Sequence, residues 1–248
     1  MAVLSDTPRI HLFVSDGAVR GQQMALQGAE AARAFQKGLR SGMAFTALDG
    51  MGWALDVDVV EAGPSLCYGR VTGRRLAAER RSKVTAYQAM IHPSDFRRFL
   101  GLATGLGVVA FQPVIADGSV LPRLDAEGRP EGEAEWPLLI RDAAEAAGRG
   151  QLPQVELPML LDAAFDQAHG AGARLILDAS GQPLEAVLVN RPFSLACFLP
   201  PPGGFTAAEL QRAVAQGLLR VAPPETSRDP IQPAVTLLRR IYELLEGG

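Results

Sequence analysis

Cysteine is nearly absent from this chain: Cys67 and Cys197 are the only two in 248 residues, far apart and without metal-ligand spacing. That excludes a disulfide framework, leaves a zinc site without support, and makes a reducing, cytoplasmic setting the expectation. Histidine is as scarce, with His11, His92 and His169 scattered, so no metal site and no histidine-based triad is expected. No apolar run approaches the roughly 20 residues that a membrane-spanning helix needs. Met1–Arg9 shows no basic stretch followed by a long apolar segment, so no secretory signal is expected. Neither charge sign dominates, with 24 Lys and Arg against 27 Asp and Glu.

What is present is an ordinary globular composition, 48% hydrophobic and 21% charged. Wholesale disorder is excluded, and the length suits one large domain or two modest ones. The net charge of −3 hides an asymmetry. Residues 1–83 hold eleven Lys and Arg against eight acids, and the remainder thirteen against nineteen. Within the first part, Arg70, Arg74, Arg75, Arg80, Arg81 and Lys83 have only Glu79 as a nearby acid in the sequence. Such a concentration suits a polyanionic partner, or else a solvated, salt-laced surface.

The first eighty residues read as short strands with turn punctuation. Ile10–Val14 ends at Ser15-Asp16-Gly17, Met43–Leu48 ends at Asp49-Gly50, Trp53–Val60 alternates, and Ser65–Thr72 follows Gly63-Pro64. Gly28–Leu39 has helical spacing. Close Asp-Gly turns between short strands predict a small barrel or curled sheet. From Lys83 the rhythm becomes strand, helix, strand, helix. Val84–Ile91 and the apolar run Val108–Ile115 are strands, with a helix capped by Ser94 between them. Leu121–Glu135 is acidic and aperiodic, hence a loop. Helices follow at Trp136–Ala147, Leu160–His169, Ala207–Gln216 and Pro233–Leu245. Strands are expected at Val155–Leu157, Arg174–Asp178, Ser194–Leu199 and Leu219–Ala222. The second part is therefore an α/β domain with a mostly parallel sheet. Phe96, Phe99, Phe111, Leu195 and Phe198 are its expected core.

Several local patterns occur in one order. Gly38-Leu39-Arg40-Ser41-Gly42, followed by Leu48-Asp49-Gly50, is similar to a Leu-Arg-x-x-x-Gly-Asp segment with a trailing Asp-Gly. Ala103-Thr104-Gly105-Leu106-Gly107-Val108 is similar to Ala-Thr-Glu-Leu-Gly-Val. Ala143-Ala144-Glu145-Ala146-Ala147-Gly148-Arg149 is similar to Ala-Ala-Glu-Gln-Ser-Gly-Arg, with Pro153 and Val155 following. Pro202-Gly203-Gly204-Phe205-Thr206, with Glu209 beyond, is similar to the end of Gly-Pro-Glu-Gly-Gly-Phe-Ser. Together, over nearly the whole chain, they resemble the RsmE family of 16S rRNA uridine-N3 methyltransferases.

That resemblance implies an N-terminal PUA-like β-barrel over 1–82, which binds RNA, and a C-terminal SPOUT α/β domain with a trefoil knot over 83–248. It implies S-adenosylmethionine as cofactor, the 16S rRNA of the small ribosomal subunit as partner, and a cytoplasmic homodimer. The cofactor residues it implies are Leu199, Pro200, Gly203, Gly204, Val221, Ala222 and Pro223. Arg228 is the implied positive group favouring the uridine anion, and Asp229 the proton acceptor or orienter. Arg40, Arg70, Arg74, Arg75, Arg80, Arg81 and Lys83 would lie on RNA phosphates. Tyr68 and Tyr87 flank rather than interleave the basic segment, so backbone and shape recognition is expected over base stacking.

The chain also departs from the family pattern. The Lys-Gly pair before the first SPOUT helix is His92-Pro93, with His92 read as a structural histidine. The Gly-Pro-Glu of the cofactor loop is Pro200-Pro201-Pro202, three residues with no backbone N–H donor. In the stretch Val221–Ile231 the family's Arg and Glu are retained only approximately, as Arg228 and Asp229, and its Thr position is Pro230. These changes leave open a catalytically inactive relative that binds RNA or a protein partner. They also leave Pro200–Gly204 readable as a plain rigid turn, and Arg228 with Asp229 as loop decoration. Arg149 and Glu145, four apart, are expected to share a helix face and pair. Val235, Leu238, Ile241, Tyr242 and Leu245 form one apolar helical face, suited either to a dimer interface or to the chain's own sheet.

Overall fold

The computed structural model describes residues 10–127, 129–225 and 227–247. The expectation over Met1–Arg9, and Thr226 of the aligned stretch, lie outside them. The chain divides into two units: residues up to Glu79 with Ala144–Leu152, and Arg80–Ala143 with the remainder from Pro153.

In the first unit, β1 (His11–Phe13), β2 (Val19–Arg20), β3 (Gln23–Gln27), β4 (Ala44–Leu48), β5 (Trp53–Ala62) and β6 (Leu66–Leu76) form one sheet. Its order is β1-β4-β5-β6-β3-β2. Only β1 and β4 pair in parallel. The pairings follow one path with two ends, so among the described residues the sheet is open and hydrogen bonds do not close a barrel. The alternation expected in β5 is present, with Leu55, Val57 and Val59 buried and Asp58 exposed between them. Helix α1 (Ala29–Gln36) buries Ala31 and Ala34. The β2–β3 hairpin has no sequence expectation because Gln23, Ala25 and Gln27 separate its two buried residues, Met24 and Leu26.

The segment Ala144–Leu152 completes this unit. The buried Glu145 accepts from Arg33 at 2.6 and 2.7 Å, from Lys37 at 2.5 Å and from the Phe13 amide at 2.8 Å. Arg149 reaches Glu79 at 3.1 Å. The pairing expected between Glu145 and Arg149 on one helix face is thus corrected. The helix stops at Ala146, Gly148 turns with φ 66°, and the two side chains serve different partners.

In the second unit, β7 (Lys83–Ala89), β8 (Ala110–Ile115), β9 (Gln154–Val155), β10 (Met159–Leu160), β11 (Ala173–Gln182), β12 (Ser194–Leu199) and β13 (Leu219–Val221) form a second sheet. Its order is β10-β8-β7-β12-β11-β13, with β9 beside β8, and every pairing is parallel. Both faces are covered. Val84 and Ala86, Leu175 and Leu177, and Leu195 and Cys197 point to one core. Tyr87 and Ala89, Ile176, and Ala196 and Phe198 point to the other. This period of two explains why the strands read as continuous apolar runs. Each large side chain buried this way contributes about 1.5–3 kcal/mol. The five expected core residues, Phe96, Phe99, Phe111, Leu195 and Phe198, are all buried.

The helices are α2 (Pro93–Leu106), α3 (Trp136–Ala146, its last three residues in the first unit), α4 (Leu161–Gln167), α5 (Leu184–Val187), α6 (Ala207–Ala215) and α7 (Gln232–Glu246). Two expectations are corrected and one alternative is decided. Helix α2 is capped by His92, whose ring accepts from the Ser94 amide, because Pro93 has the fixed φ suited to a first helical turn. Strand β11 runs on to Gln182, through residues too polar to read as a strand. In α7, Val235, Leu238, Ile241 and Tyr242 are buried within the chain's own core, the second of the two uses open to that face.

Candidate active site

In an open parallel sheet the groups best placed to meet a ligand lie beyond the carboxyl ends of the strands, where the strand order reverses. Here the order reverses around β7 and β12. Strand β12 ends at Leu199, and the chain turns through Pro200–Phe205 into α6. The turn is closed by the Gly204 amide donating to the Pro201 carbonyl at 2.9 Å. Gly204 has φ 82°, a conformation that favours glycine.

The turn is fastened at both ends. Gln88, buried on β7, donates from Nε2 to the Pro200 carbonyl at 3.2 Å. At the other end, Thr206 and Glu209 form a capping box on α6. The buried Glu209 also accepts from the Asp117 amide at 2.7 Å.

This turn, Leu177–Ala179 of β11, Pro223 and the segment 227–234 line a cleft of about 320 Å³. Two carboxylates line it. Asp178 accepts from Arg220 Nε at 2.7 Å and from Ser180 Oγ at 3.1 Å. Asp229 accepts from Arg98 Nη2 at 2.7 Å and from the Ile231 amide at 3.2 Å. The Arg98 hydrogen bond, with the Ile231 amide second, holds the Asp229 carboxyl below the usual range for aspartate. Leu177, Phe205 and Ala234 supply apolar wall.

Of the residues implied by resemblance, the structure brings Pro200, Gly203, Gly204, Pro223 and Asp229 together around this cleft. Leu199 and Val221 are fully buried in the core, and neither lines the cleft. The Ala222 amide donates to the Gln182 carbonyl. Arg228 is exposed and outside the lining. Sequence reasoning missed Asp178, although an acid ending an apolar parallel strand was a usable signal. Arg98 gave none, since it meets Asp229 from 131 positions away.

The basic residues divide between the units. In the first, Arg40 donates to the Phe35 and Leu39 carbonyls, and Arg74 lies 4.0 Å over the Trp53 ring. Arg75 faces Asp56 at 3.5 Å, and Arg70 is exposed. In the second, Arg80 pairs with Glu246 at 3.2 Å, Lys83 donates to the Arg80 carbonyl, and Arg81 is exposed. Glu79, their one acid in the sequence, is taken by Arg149 and the Gln151 amide. The local surplus is therefore partly neutralised by acids distant in sequence.

A family model described as an RNA methyltransferase domain matches residues 78–222, more than half of the chain. The protein belongs to the RNA methyltransferase family. A curated relative, ribosomal RNA small subunit methyltransferase E of Synechocystis, is 25% identical over 216 residues, 84% of this chain and 69% of the relative. Two crystal structures show the same fold at 20% identity and a TM-score of 0.80, each covering 94% of this chain and 98% of the other. One is ribosomal RNA small subunit methyltransferase E from Neisseria gonorrhoeae bound to S-adenosyl methionine, and the other a Legionella pneumophila protein with bound SAM. The resemblance to RsmE is borne out by these matches. This family member has the two-sheet α/β architecture that its relatives share.

Proposed function

We propose that the protein transfers a methyl group from S-adenosylmethionine to N3 of a uridine in the 16S rRNA of the small ribosomal subunit. The observation that carries this reading is the cleft beyond the carboxyl end of β12 and beside Leu177–Ala179 of β11, walled by Gly203, Gly204 and Phe205. Its volume falls at the lower end of the range for small-molecule sites. The apolar side chains suit an adenosine, and the carboxylates of Asp178 and Asp229 suit a cationic sulfonium and amino group. The residues present therefore fit the cofactor. The naming of the Synechocystis and Neisseria relatives supports the rRNA substrate and the cofactor.

When bound, S-adenosylmethionine supplies an electrophilic methyl group. The chain's part is to hold cofactor and base in line and to exclude water. Gly203 and Gly204 let the backbone approach closely. Pro200, Pro201 and Pro202 offer no amide donors, and the first two carbonyls already accept from Gln88 and Gly204; each missing donor weakens a polar ligand by about 0.5–1.5 kcal/mol. Asp229, kept ionised by Arg98, orients the base by accepting from its N3–H. So acidic a carboxyl is a weak base, so deprotonation of the base becomes easier as solution pH rises. Arg228, next in sequence, adds positive charge that favours the uridine anion.

In this reading residues 1–82 form a PUA-like RNA-binding domain and 83–248 a SPOUT domain with a trefoil knot, working as a cytoplasmic homodimer. Arg40, Arg70, Arg74, Arg75, Arg80, Arg81 and Lys83 contribute phosphate contacts. Incubation with methyl-labelled cofactor and unmethylated 30S particles is expected to label the 16S rRNA, and no transfer between pH 7 and 9 defeats the proposal. A second reading, an inactive relative that binds RNA or a protein, is favoured by the donor-poor Pro200–Pro202 wall. Calorimetry decides between them, since micromolar binding of S-adenosylmethionine counts against it.

A further inference from the structure

We propose that a second cavity, at the opposite ends of the same strands, is a phosphate site anchored by Arg174, and that its occupant is a nucleotide phosphate. The cavity, of about 300 Å³, is lined by His169, Arg174, Asn190, Pro192, Gly217 and Leu219, among others. It lies where β11 and β12 begin, whereas the cleft described above lies beyond the end of β12 and beside Leu177–Ala179 of β11. Arg174 and Asp178 are four residues apart on β11, about 13 Å along an extended strand.

The guanidinium of Arg174, a partly exposed residue, is held in place with its donors to spare. Its Nη1 lies 3.0 Å from His169 Nδ1. A guanidinium only donates, so His169 Nδ1 accepts and the ring proton is on Nε2, which donates to Gln216 Oε1 at 3.1 Å. Gln216 in turn donates to Asp166 at 3.2 Å. This relay fixes one edge of the guanidinium and ends on the exposed Asp166 carboxylate.

Among the described residues Arg174 has no carboxylate partner, and its Nη2 and Nε make no hydrogen bond. On the far side the wall is bare backbone. A Cβ at Gly217 would come within 3.1 Å of Nη2, and Gly217 has φ 81°. An unpaired, pre-oriented fork of donors in a concave site matches the oxygen pair of a phosphate. Leu219, Pro192 and Val187 give the cavity an apolar side, and the exposed Asn190 offers an amide at its rim. Cation, amide and apolar wall together suit a phosphate carried on a nucleoside rather than the free ion.

The probe is cytidine 5′-monophosphate, with cytidine as its control, titrated calorimetrically into the full chain. Cytosine is neither the cofactor's base nor the proposed methyl acceptor, so failure here and failure of methyl transfer are separable. The nucleotide is expected to bind at least about tenfold more tightly than cytidine, and Arg174→Ala to abolish that preference. Arg174→Gln, which keeps length and polarity, is expected to lose it too, while Arg174→Lys keeps part of it. Equal binding of nucleotide and nucleoside, an unchanged preference in both uncharged variants, or equal competition by succinate overturns the proposal. A single-stranded oligocytidylate that displaces the nucleotide sustains the site with RNA as source; a nucleotide that stays bound sustains it with free nucleotide.

Discussion

Glu145 holds Arg33 through both of its carboxylate oxygens, at 2.6 and 2.7 Å, across 112 positions of sequence. Its side chain is 1% exposed, while those of Arg33 and Lys37 are 24% and 30% exposed. The anion is buried and its cations are partly wet, so the interaction belongs between a surface pair and a fully buried one.

Glu145→Gln is therefore expected to lower the stability of the first unit by about 2–3 kcal/mol. The neutral amide removes the charge that Arg33 and Lys37 share on Glu145 and turns an N–H₂ group toward them. Urea denaturation followed by Trp53 fluorescence measures the loss. A midpoint within error of the parent would show that the cluster is isoenergetic with its hydrated parts.

The two cysteines report on the two cores. Cys197 lies in β12 with no exposure, and burial pushes its thiol up to about 12; burial raises Cys67 as well. Thiolate is the reactive form, and neither sulfur is open to solvent. Folded protein at pH 8 is expected to react with neither thiol over minutes, and denatured protein with both. Fast labelling of one thiol in the folded state would identify the unit that opens.

The second unit was legible because its strands are buried on both faces. Val108–Ile115 and Ser194–Leu199 announce themselves as apolar runs, and the helices between them carry helical spacing. The hairpin of β2 and β3 was hidden because only Met24 and Leu26 turn inward. The turn at Pro202–Thr206 was legible as a motif, and Asp229 as a candidate beside it. Arg98, Gln88 and Glu209, which position that turn and that carboxylate, act across 131, 112 and 92 residues. Pairs at such separations leave no periodic trace. The return of Ala144–Leu152 to the first unit was invisible for the same reason: Glu145 and Arg149 look like a helical i, i+4 pair until their true partners are known.

Asp229 and Arg98 make a pH-dependent contact. The folded carboxyl titrates below its ordinary value, so the pair stabilises the fold above the unfolded aspartate pKa of about 3.9. That contribution is lost as pH falls through the lower, folded value. Arg98→Ala is expected to raise the Asp229 pKa toward the ordinary range, read by carboxyl-carbon NMR titration. The stability difference between variant and parent is expected at pH 7 and to shrink below about pH 4. A difference that grows toward acid would mean that Asp229 is not the partner that matters.

Glu209 does two tasks with one buried carboxylate. Its Oε2 accepts from the Thr206 amide at 2.8 Å, and its Oε1 from the Asp117 amide at 2.7 Å. It thereby ties the cleft turn to the chain after β8. Thr206→Ala removes only the hydroxyl of the cap and is expected to cost about 1 kcal/mol. Glu209→Ala leaves the part-buried amides of Thr206 and Asp117 without their acceptor and is expected to cost about 1–3 kcal/mol. If the Pro200–Phe205 wall holds S-adenosylmethionine as proposed, Glu209→Ala also weakens cofactor binding, whereas Thr206→Ala changes it little. Calorimetry on both variants, at a temperature where each is folded, separates the two effects. Equal cofactor affinity in parent and Glu209→Ala would place the cofactor away from this turn while leaving the stability argument intact.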